Sequence, residues 1–151
     1  MANLSNMEDN IQFQIRLKDI VEEDGIEYQT WICSELEMKS KAINCFLGEQ
    51  NKFMLNKCEL VNLLQNLDKL LACLKNGMDY SFAFSNYESN FELRMCTDII
   101  DSIIEVEAWI NWGNYTSGKE VGYDIGMRFV TDMERIILFL GALNEEINCL
   151  C

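Results

Sequence analysis

Glu105 and Glu107 are the residues whose type and spacing come nearest to a chemical site. They lie on one face of a predicted strand, about 7 Å apart given the rise of two strand residues. Two carboxylates at such a spacing could serve glycoside hydrolysis or bind calcium. A chain with 25 acidic residues, however, produces such pairs by chance. We therefore predict no catalytic residues, no metal site and no cofactor.

The rest of the sequence also lacks familiar catalytic patterns. It contains no histidine, so the commonest general base, the Ser-His and Cys-His nucleophile pairs and histidine metal ligands are absent. Neither the phosphate-binding Gly-x-x-x-x-Gly-Lys-Ser/Thr motif nor the Gly-x-Gly-x-x-Gly motif is present. The seven cysteines form no Cys-x-x-Cys motif, and we expect them to be reduced. A redox or metal role for Cys149 and Cys151 stays open, and the sequence predicts a non-enzymatic protein.

The charge of the chain indicates the kind of partner. Twenty-five acidic residues against twelve basic ones give a net charge of −13, which argues against direct binding to nucleic acid phosphates. Seven acids and no bases lie between Asp19 and Glu37, and four acids and no bases lie between Cys96 and Gly118. Such a surface serves solubility, or it attracts a basic protein partner and speeds the encounter.

Length and hydropathy predict one domain. The 151 residues are 49% hydrophobic, enough for a core, and no apolar run approaches the ~20 residues of a membrane span. The polar segment Met1–Asn10 carries acids where a signal peptide has basic residues. We therefore expect a cytoplasmic protein with a single α+β domain over residues 1–151, in which residues 1–10 are loosely ordered.

Alternation and helical spacing give the predicted order of elements. Alternating apolar residues predict three strands before the first helix and four before the second, and short links favour antiparallel pairing. Asn56 with Glu59, and Thr131 with Glu134, are typical of helix N-termini. The second helix is so apolar that we expect it to be nearly buried. The predicted fold is α+β, in the order βββα-ββββα: a curved antiparallel sheet of about six or seven strands with two helices on one face.

An outward-facing tryptophan is the best candidate for a binding site. The phase of its strand points Trp109 to solvent between Glu105 and Glu107, and Glu92, Arg94, Asp124 and Arg128 lie on strands predicted nearby. A solvent-facing tryptophan surrounded by charge is typical of a binding hot spot. A shift of one residue in phase would instead turn Trp109 into the core. The candidate partner-binding residues are Trp109, Glu105, Glu107, Glu92, Asp124, Glu22, Glu23 and Asp24.

A set of segments along the chain resembles a known family. They are Trp31 with Glu35–Lys39, the strand to Phe46, the helix Glu59–Leu74, Phe91–Met95, Ile104–Ala108 and Tyr123–Met127. This pattern is similar to the WapI-like immunity proteins of bacterial polymorphic toxin systems and covers nearly the whole chain. The resemblance implies a cytoplasmic protein that binds and neutralises a cognate toxin, often a nuclease and hence basic. It carries over no catalytic residues.

The sequence also allows two other functions. A small-ligand or carbohydrate-binding domain would place aromatic residues such as Tyr80, Phe84 and Trp112 around a deep pocket. A self-associating structural subunit would expose a large apolar patch. The sequence leaves the oligomeric state open.

Overall fold

The computed structural model describes residues 1–21, 30–113 and 124–150, and it confirms the α+β class. The first antiparallel sheet contains β1 (Ala2–Ser5), β2 (Gln12–Val21), β3 (Trp31–Lys39), β4 (Asn44–Leu47) and β5 (Met54–Asn56). The second antiparallel sheet contains β6 (Ser81–Ser85), β7 (Phe91–Asp98), β8 (Ile103–Asn111) and β9 (Asp124–Thr131). Helix α1 (Lys57–Lys75) follows the first sheet, and helix α2 (Met133–Cys149) follows the second.

The described strands form two sheets where we expected a single curved one. The second sheet has the four predicted strands in chain order, each paired with the next. The first sheet has two more strands than predicted, because β1 and β5 contain only four and three residues and show no clear alternation. Alternation identifies a strand but not its neighbours, so it could not show that the chain starts a new sheet after α1.

The N-terminus is a correction. We expected residues 1–10 to be loosely ordered, but Ala2–Ser5 forms β1, which pairs with β2 and packs against α2. Ala2 and Leu4 are fully buried. These two side chains supply the apolar burial that orders the segment, although its sequence is mainly polar.

The start of α1 matches the sequence prediction, whereas the start of α2 is shifted by one residue. Asn56 accepts a hydrogen bond from the Cys58 amide, and Glu59 accepts one from the Asn56 amide, which makes the capping box. In α2 the cap is Asp132, which accepts from the Arg135 amide at 2.9 Å. Thr131 ends β9 instead.

One apolar core joins the two sheets and both helices. Its centre is a group of aromatic rings in which Phe13 of the first sheet lies 6.0 Å from Phe91 of the second and 6.3 Å from Phe139 of α2, measured between ring centroids. A second link is the fully buried Thr131, whose hydroxyl donates to the Ser5 carbonyl at 2.7 Å. The inward faces of the two sheets and the apolar sides of the helices therefore pack together.

Helix α2 is less buried than its composition suggested. Ile136, Phe139 and Leu143 are fully buried, but Ile137 and Leu138 are 52% and 64% exposed. A helix lying on one layer of a core can bury only one side, so the remaining apolar residues face solvent. Neither described helix combines the length and apolar character that a membrane span requires.

A bulge occurs in the first sheet, on the strand next to the one where we expected it. The sequence suggested a bulge or a change of phase near Trp31 and Cys33, but the burial of β3 alternates from end to end. The pairing shifts instead between Leu17 and Asp19 of β2. Lys18 is the extra residue there, as in a β-bulge.

Candidate partner-binding face

The phase predicted for β8 is confirmed. Its inward side chains are all fully buried: Ile104, Val106, Ala108 and Ile110. Glu105, Glu107 and Trp109 therefore point outward, with Glu105 exposed and the other two partly exposed. The regular alternation of β8 fixes this orientation, so the candidate tryptophan is on the surface.

The neighbouring strands arrange outward side chains in rows across the sheet. Glu92 of β7 pairs with Trp109, which pairs with Gly126 of β9. In the next row Arg94 pairs with Glu107, which pairs with Arg128. We call this surface the Trp109 face and define it by the following outward residues: Glu92, Arg94, Glu105, Glu107, Trp109, Asp124 and Arg128.

The indole of Trp109 lies directly over Gly126. A Cβ atom added to Gly126 would lie 2.1 Å from Trp109 Cε3, so no other residue fits beneath the ring in this position. The indole Nε1 also donates a hydrogen bond to Glu107 Oε2 at 3.2 Å. Contact with the glycine and this hydrogen bond together hold the ring in one orientation on the sheet.

Two arginines make the face mixed in charge. Arg94 forms an ion pair with Glu92, and Arg128 forms one with Glu107 at 2.6 Å. The hydrogen bond from Trp109, followed by the charge of Arg128, lowers the pKa of Glu107 below its ordinary value. The sequence places both arginines on strands near Trp109, although the predicted binding residues include only the acids and the tryptophan. Both arginines occupy outward positions in their strands.

The other two acids on the face have no ion-pair partner among the described residues. Asp124 is exposed at the first residue of β9, opposite Asn111. Glu105 accepts a hydrogen bond from the Cys96 thiol at 3.5 Å. Burial, and then the hydrogen bond to Glu105, raise the pKa of this thiol, so Cys96 stays protonated and neutral. The net negative charge of the face therefore comes from Asp124 and Glu105.

An open depression lies beside Trp109. Its volume is about 390 Å³, and its lining is mainly polar. The residues around it are Ser85, Ser89, Phe91, Glu92, Arg94, Glu107, Trp109, Asn111 and Asp124. A second depression of about 410 Å³ lies on the other side of Arg94 and Glu107, next to Ser81 and Ala83 of β6. The surface is thus uneven and offers recesses on both sides of a charged ridge.

The remaining sequence-based candidates are not part of this surface. Glu22, Glu23 and Asp24 lie outside the described residues. Of the aromatic residues expected around a ligand pocket, Phe84 is buried in the core, and its ring lies tilted against that of Phe91 with the ring centroids 5.7 Å apart. Tyr80 donates its hydroxyl hydrogen to Asn66 of α1. Tyr80 therefore links the second sheet to α1, and Phe84 belongs to the apolar core.

The described residues also contain no metal-binding group. No three cysteine, aspartate or glutamate side chains come together there in a way that could hold an ion. The described cysteines, Cys149 among them, are free thiols, and Cys151 lies outside the described residues.

Comparisons with known proteins give the family of the chain. A solved chain from the "CdiA-CT/CdiI toxin and immunity complex from Enterobacter cloacae" aligns with 88% of this chain and 99% of its own length, at 16% identity and a TM-score of 0.35. No curated protein matches the sequence. The family model described as "Immunity protein WapI-like family" matches residues 3–150. Because that match spans almost the whole sequence, the chain belongs to the WapI-like immunity protein family.

Proposed function

We propose that this immunity protein binds a cognate toxin through the Trp109 face and neutralises it by covering the toxin's active site, without catalysing a reaction. The family supports the immunity function. The observation that carries the choice of surface is the partly exposed Trp109, held over Gly126 in the middle of a charged sheet face. Tryptophan is among the residues most enriched in binding hot spots.

The fixed position of the indole favours tight binding. A side chain that is already held in its bound orientation loses little conformational freedom when a partner covers it. Trp109 has Gly126 beneath it and a hydrogen bond to Glu107 beside it. We therefore expect the indole to enter a recess on the toxin, while the depression beside it receives a side chain from the toxin.

Charge defines the chemistry of the partner. The protein carries a net charge of −13, and on the Trp109 face Asp124 and Glu105 have no ion pair within the described part of the chain. A basic protein such as a nuclease would be drawn to this surface and could pair with these two carboxylates. The complex should form in the bacterial cytoplasm, and salt should slow its formation.

Co-expression tests this proposal. The chain is produced together with the product of the adjacent open reading frame, and toxicity and co-purification are measured with and without it. We expect the neighbour to be toxic alone, to be rescued by this chain, and to form a complex that weakens as salt rises. A harmless neighbour that forms no complex would contradict the immunity function for this pair.

A second candidate function rests on the depression beside Trp109. Its volume of about 390 Å³ falls within the range of small-molecule sites, and a tryptophan with carboxylates is suited to a sugar. The fluorescence of Trp109 during titration with a panel of mono- and oligosaccharides separates the two functions. Saturable quenching that is lost in Trp109→Ala would favour carbohydrate binding. Unchanged fluorescence would favour toxin binding as the function of this surface.

A further inference from the structure

Strand β6 forms one end of the second sheet. In the described part of the chain it pairs with β7 alone, and the pairing runs without a shift from Ser81 opposite Cys96 to Ser85 opposite Glu92. In an antiparallel pair, every second residue directs its backbone groups to the neighbour, and the others direct theirs away. The Thr97 amide donates a hydrogen bond to the Tyr80 carbonyl, so Tyr80 directs its backbone groups to β7. By alternation, the backbone amides and carbonyls of Ser81, Ala83 and Ser85 point away from β7, toward the edge of the sheet.

This edge lacks the features that normally prevent strands from pairing. Proteins protect edge strands with charged residues, proline, bulges or a covering segment. The sequence of β6 is Ser-Phe-Ala-Phe-Ser, with no charge and no proline, and the register shows no bulge. Ser81, Ala83 and Ser85 are all exposed. Among the described strands, none pairs with this edge, which leaves its backbone groups available to another strand.

The sequence of β6 also reads the same in both directions. When two identical strands pair antiparallel about a two-fold axis, a residue before the central one lies opposite the residue that follows the central one by the same number of positions in the other copy. With the axis at Ala83, Ser81 meets Ser85 of the other copy, Phe82 meets Phe84, and Ala83 meets itself. Every position thus faces a residue of its own type, and side chains on the same face of the sheet match in size.

We propose that the protein forms a two-fold symmetric dimer in which the β6 strands of two copies pair antiparallel, joining their second sheets into one sheet of eight strands. Such an interface is isologous, since each copy contributes the same residues. At the axis the backbone amide and carbonyl of Ala83 in the two copies would bond to each other, which sets the normal spacing between strands. The half-buried Phe82 gains a cross-strand partner in Phe84 of the other copy.

Exposed apolar residues at the two ends of β6 support this arrangement. Met78 precedes the strand and is 51% exposed, and Tyr87 follows it and is 83% exposed. A register centred on Ala83 places Met78 of one copy and Tyr87 of the other at the same end of the paired strands. Contact between these two side chains would add apolar burial to the backbone hydrogen bonds.

The dimer leaves the Trp109 face accessible. A two-fold axis through antiparallel strands stands perpendicular to the sheet, so the two Trp109 faces lie on the same side of the joined sheet. Trp109 is on β8, with β7 between it and β6. Each copy therefore keeps its own outward surface, and dimerisation does not depend on what binds there.

A pair of opposite charge substitutions tests the dimer. The molar mass of the full chain is measured by sedimentation equilibrium for the wild type, for Ala83→Lys and for Ala83→Glu. In either variant two like charges meet at the axis, and we expect the dissociation constant of the dimer to rise at least about tenfold. An equimolar mixture of the two variants places Lys opposite Glu, and we expect it to recover the dimer.

Control measurements keep the outcome clear. Gln65→Lys changes the charge equally on the exposed side of α1 and should leave the dimer intact. Because Ala83 is exposed, circular dichroism should show both of its variants folded. A wild-type chain that stays monomeric up to ~100 μM, an affinity too weak for a specific interface, would overturn the proposal. So would Ala83 variants that dimerise like the wild type.

Discussion

Both sheets place an aromatic ring over a glycine on their outward face. On the first sheet, a Cβ atom added to Gly48 would lie 2.8 Å from Phe46 Cε1. On the second, a Cβ atom added to Gly126 would lie 2.1 Å from Trp109 Cε3. Phe46 sits on the short strand β4 and covers a glycine two residues along its own chain, whereas Trp109 covers a glycine on the next strand. The tryptophan is therefore tied to the sheet itself.

The charges around the two rings also differ. On the first sheet Arg16 and Lys18 both bind Glu35, so one acid serves two bases. On the Trp109 face Glu92 and Glu107 each have an arginine of their own. The depression beside Phe46 has a volume of about 170 Å³, and the one beside Trp109 about 390 Å³.

Exposure of an aromatic ring is therefore not the feature on which we propose the binding site. Phe46 is 49% exposed, and Trp109 is partly buried against its glycine. What distinguishes Trp109 is its fixed orientation, its larger recess and the carboxylates of Asp124 and Glu105. These features support our proposal that the Trp109 face receives a charged partner.

The largest expected effect is on partner affinity. Combining Trp109→Ala with Glu105→Lys and Glu107→Lys removes the anchor and reverses two charges, and we expect affinity for the toxin to fall about 100-fold or more. The matched control on the first sheet is Phe46→Ala with Glu35→Lys and Glu37→Lys, which removes one ring and reverses two charges in the same way and should change affinity less than about threefold. Isothermal titration calorimetry measures both. Equal losses for the two variants would remove the distinction between the faces.

The second prediction concerns the support of the tryptophan. In Gly126→Ala the new methyl group overlaps the indole, and we expect the free energy of unfolding to fall by about 1–3 kcal/mol as the ring is displaced. Gly141→Ala is the matched control, because nothing lies within 4 Å of its added Cβ atom. Alanine in the helix should raise stability by about 0.5–1 kcal/mol. Urea unfolding of both variants gives the two values, and a stable Gly126→Ala protein would show that the contact is unimportant.

The third prediction tests the link between the two sheets. Thr131→Val removes the hydroxyl that donates to the Ser5 carbonyl, leaving a buried carbonyl without that partner. We expect a loss of about 1–2 kcal/mol in the free energy of unfolding. Thr131→Ser keeps the hydroxyl and should lose only the contribution of one buried methyl group, about 0.8 kcal/mol. If valine proved no more destabilising than serine, the hydrogen bond would contribute little.

The smallest effect concerns the pKa of Glu107. The hydrogen bond from Trp109 is the main cause that lowers this pKa, so Trp109→Phe should raise it toward its ordinary value. Because the pKa of Glu107 is lower in the folded state, its ionised carboxylate stabilises the fold, and this stabilisation is fully present above the ordinary pKa. It is lost as pH falls through the folded value. Carbon-detected NMR titration of the Glu107 carboxylate measures the change, and an unchanged pKa in Trp109→Phe would assign the lowering to Arg128 instead.

Much of the fold follows from local sequence patterns. The alternation in β8 was regular enough to place Trp109 outside, and Asn56 with Glu59 located the start of α1. Both features depend on residues close together in the chain. The capping residue of α2 was misplaced by one position because Thr131 and Asp132 are both good caps, and a contact with Ser5 decided which of them ends the strand.

The parts that the sequence did not reveal depend on contacts between distant residues. Strand β1 is ordered by pairing with β2 and by packing on α2. Its four residues carry no local pattern that predicts either contact. The ion pair of Arg128 with Glu107, which joins two strands, reduces the net negative charge expected of the candidate site. The contact between Trp109 and Gly126 depends on the register of two strands, which local alternation cannot specify.

The most direct test of the central claim compares indole signals on the two faces. Trp31 lies on the outward side of β3 in the first sheet, and Trp109 lies on the second. The indole N–H resonances in a proton–nitrogen NMR spectrum are assigned with Trp31→Phe and Trp109→Phe, and unlabelled toxin is then added. Binding through the Trp109 face predicts a shifted or broadened Trp109 signal and an unchanged Trp31 signal. A shift of Trp31 with Trp109 unaffected would contradict the account.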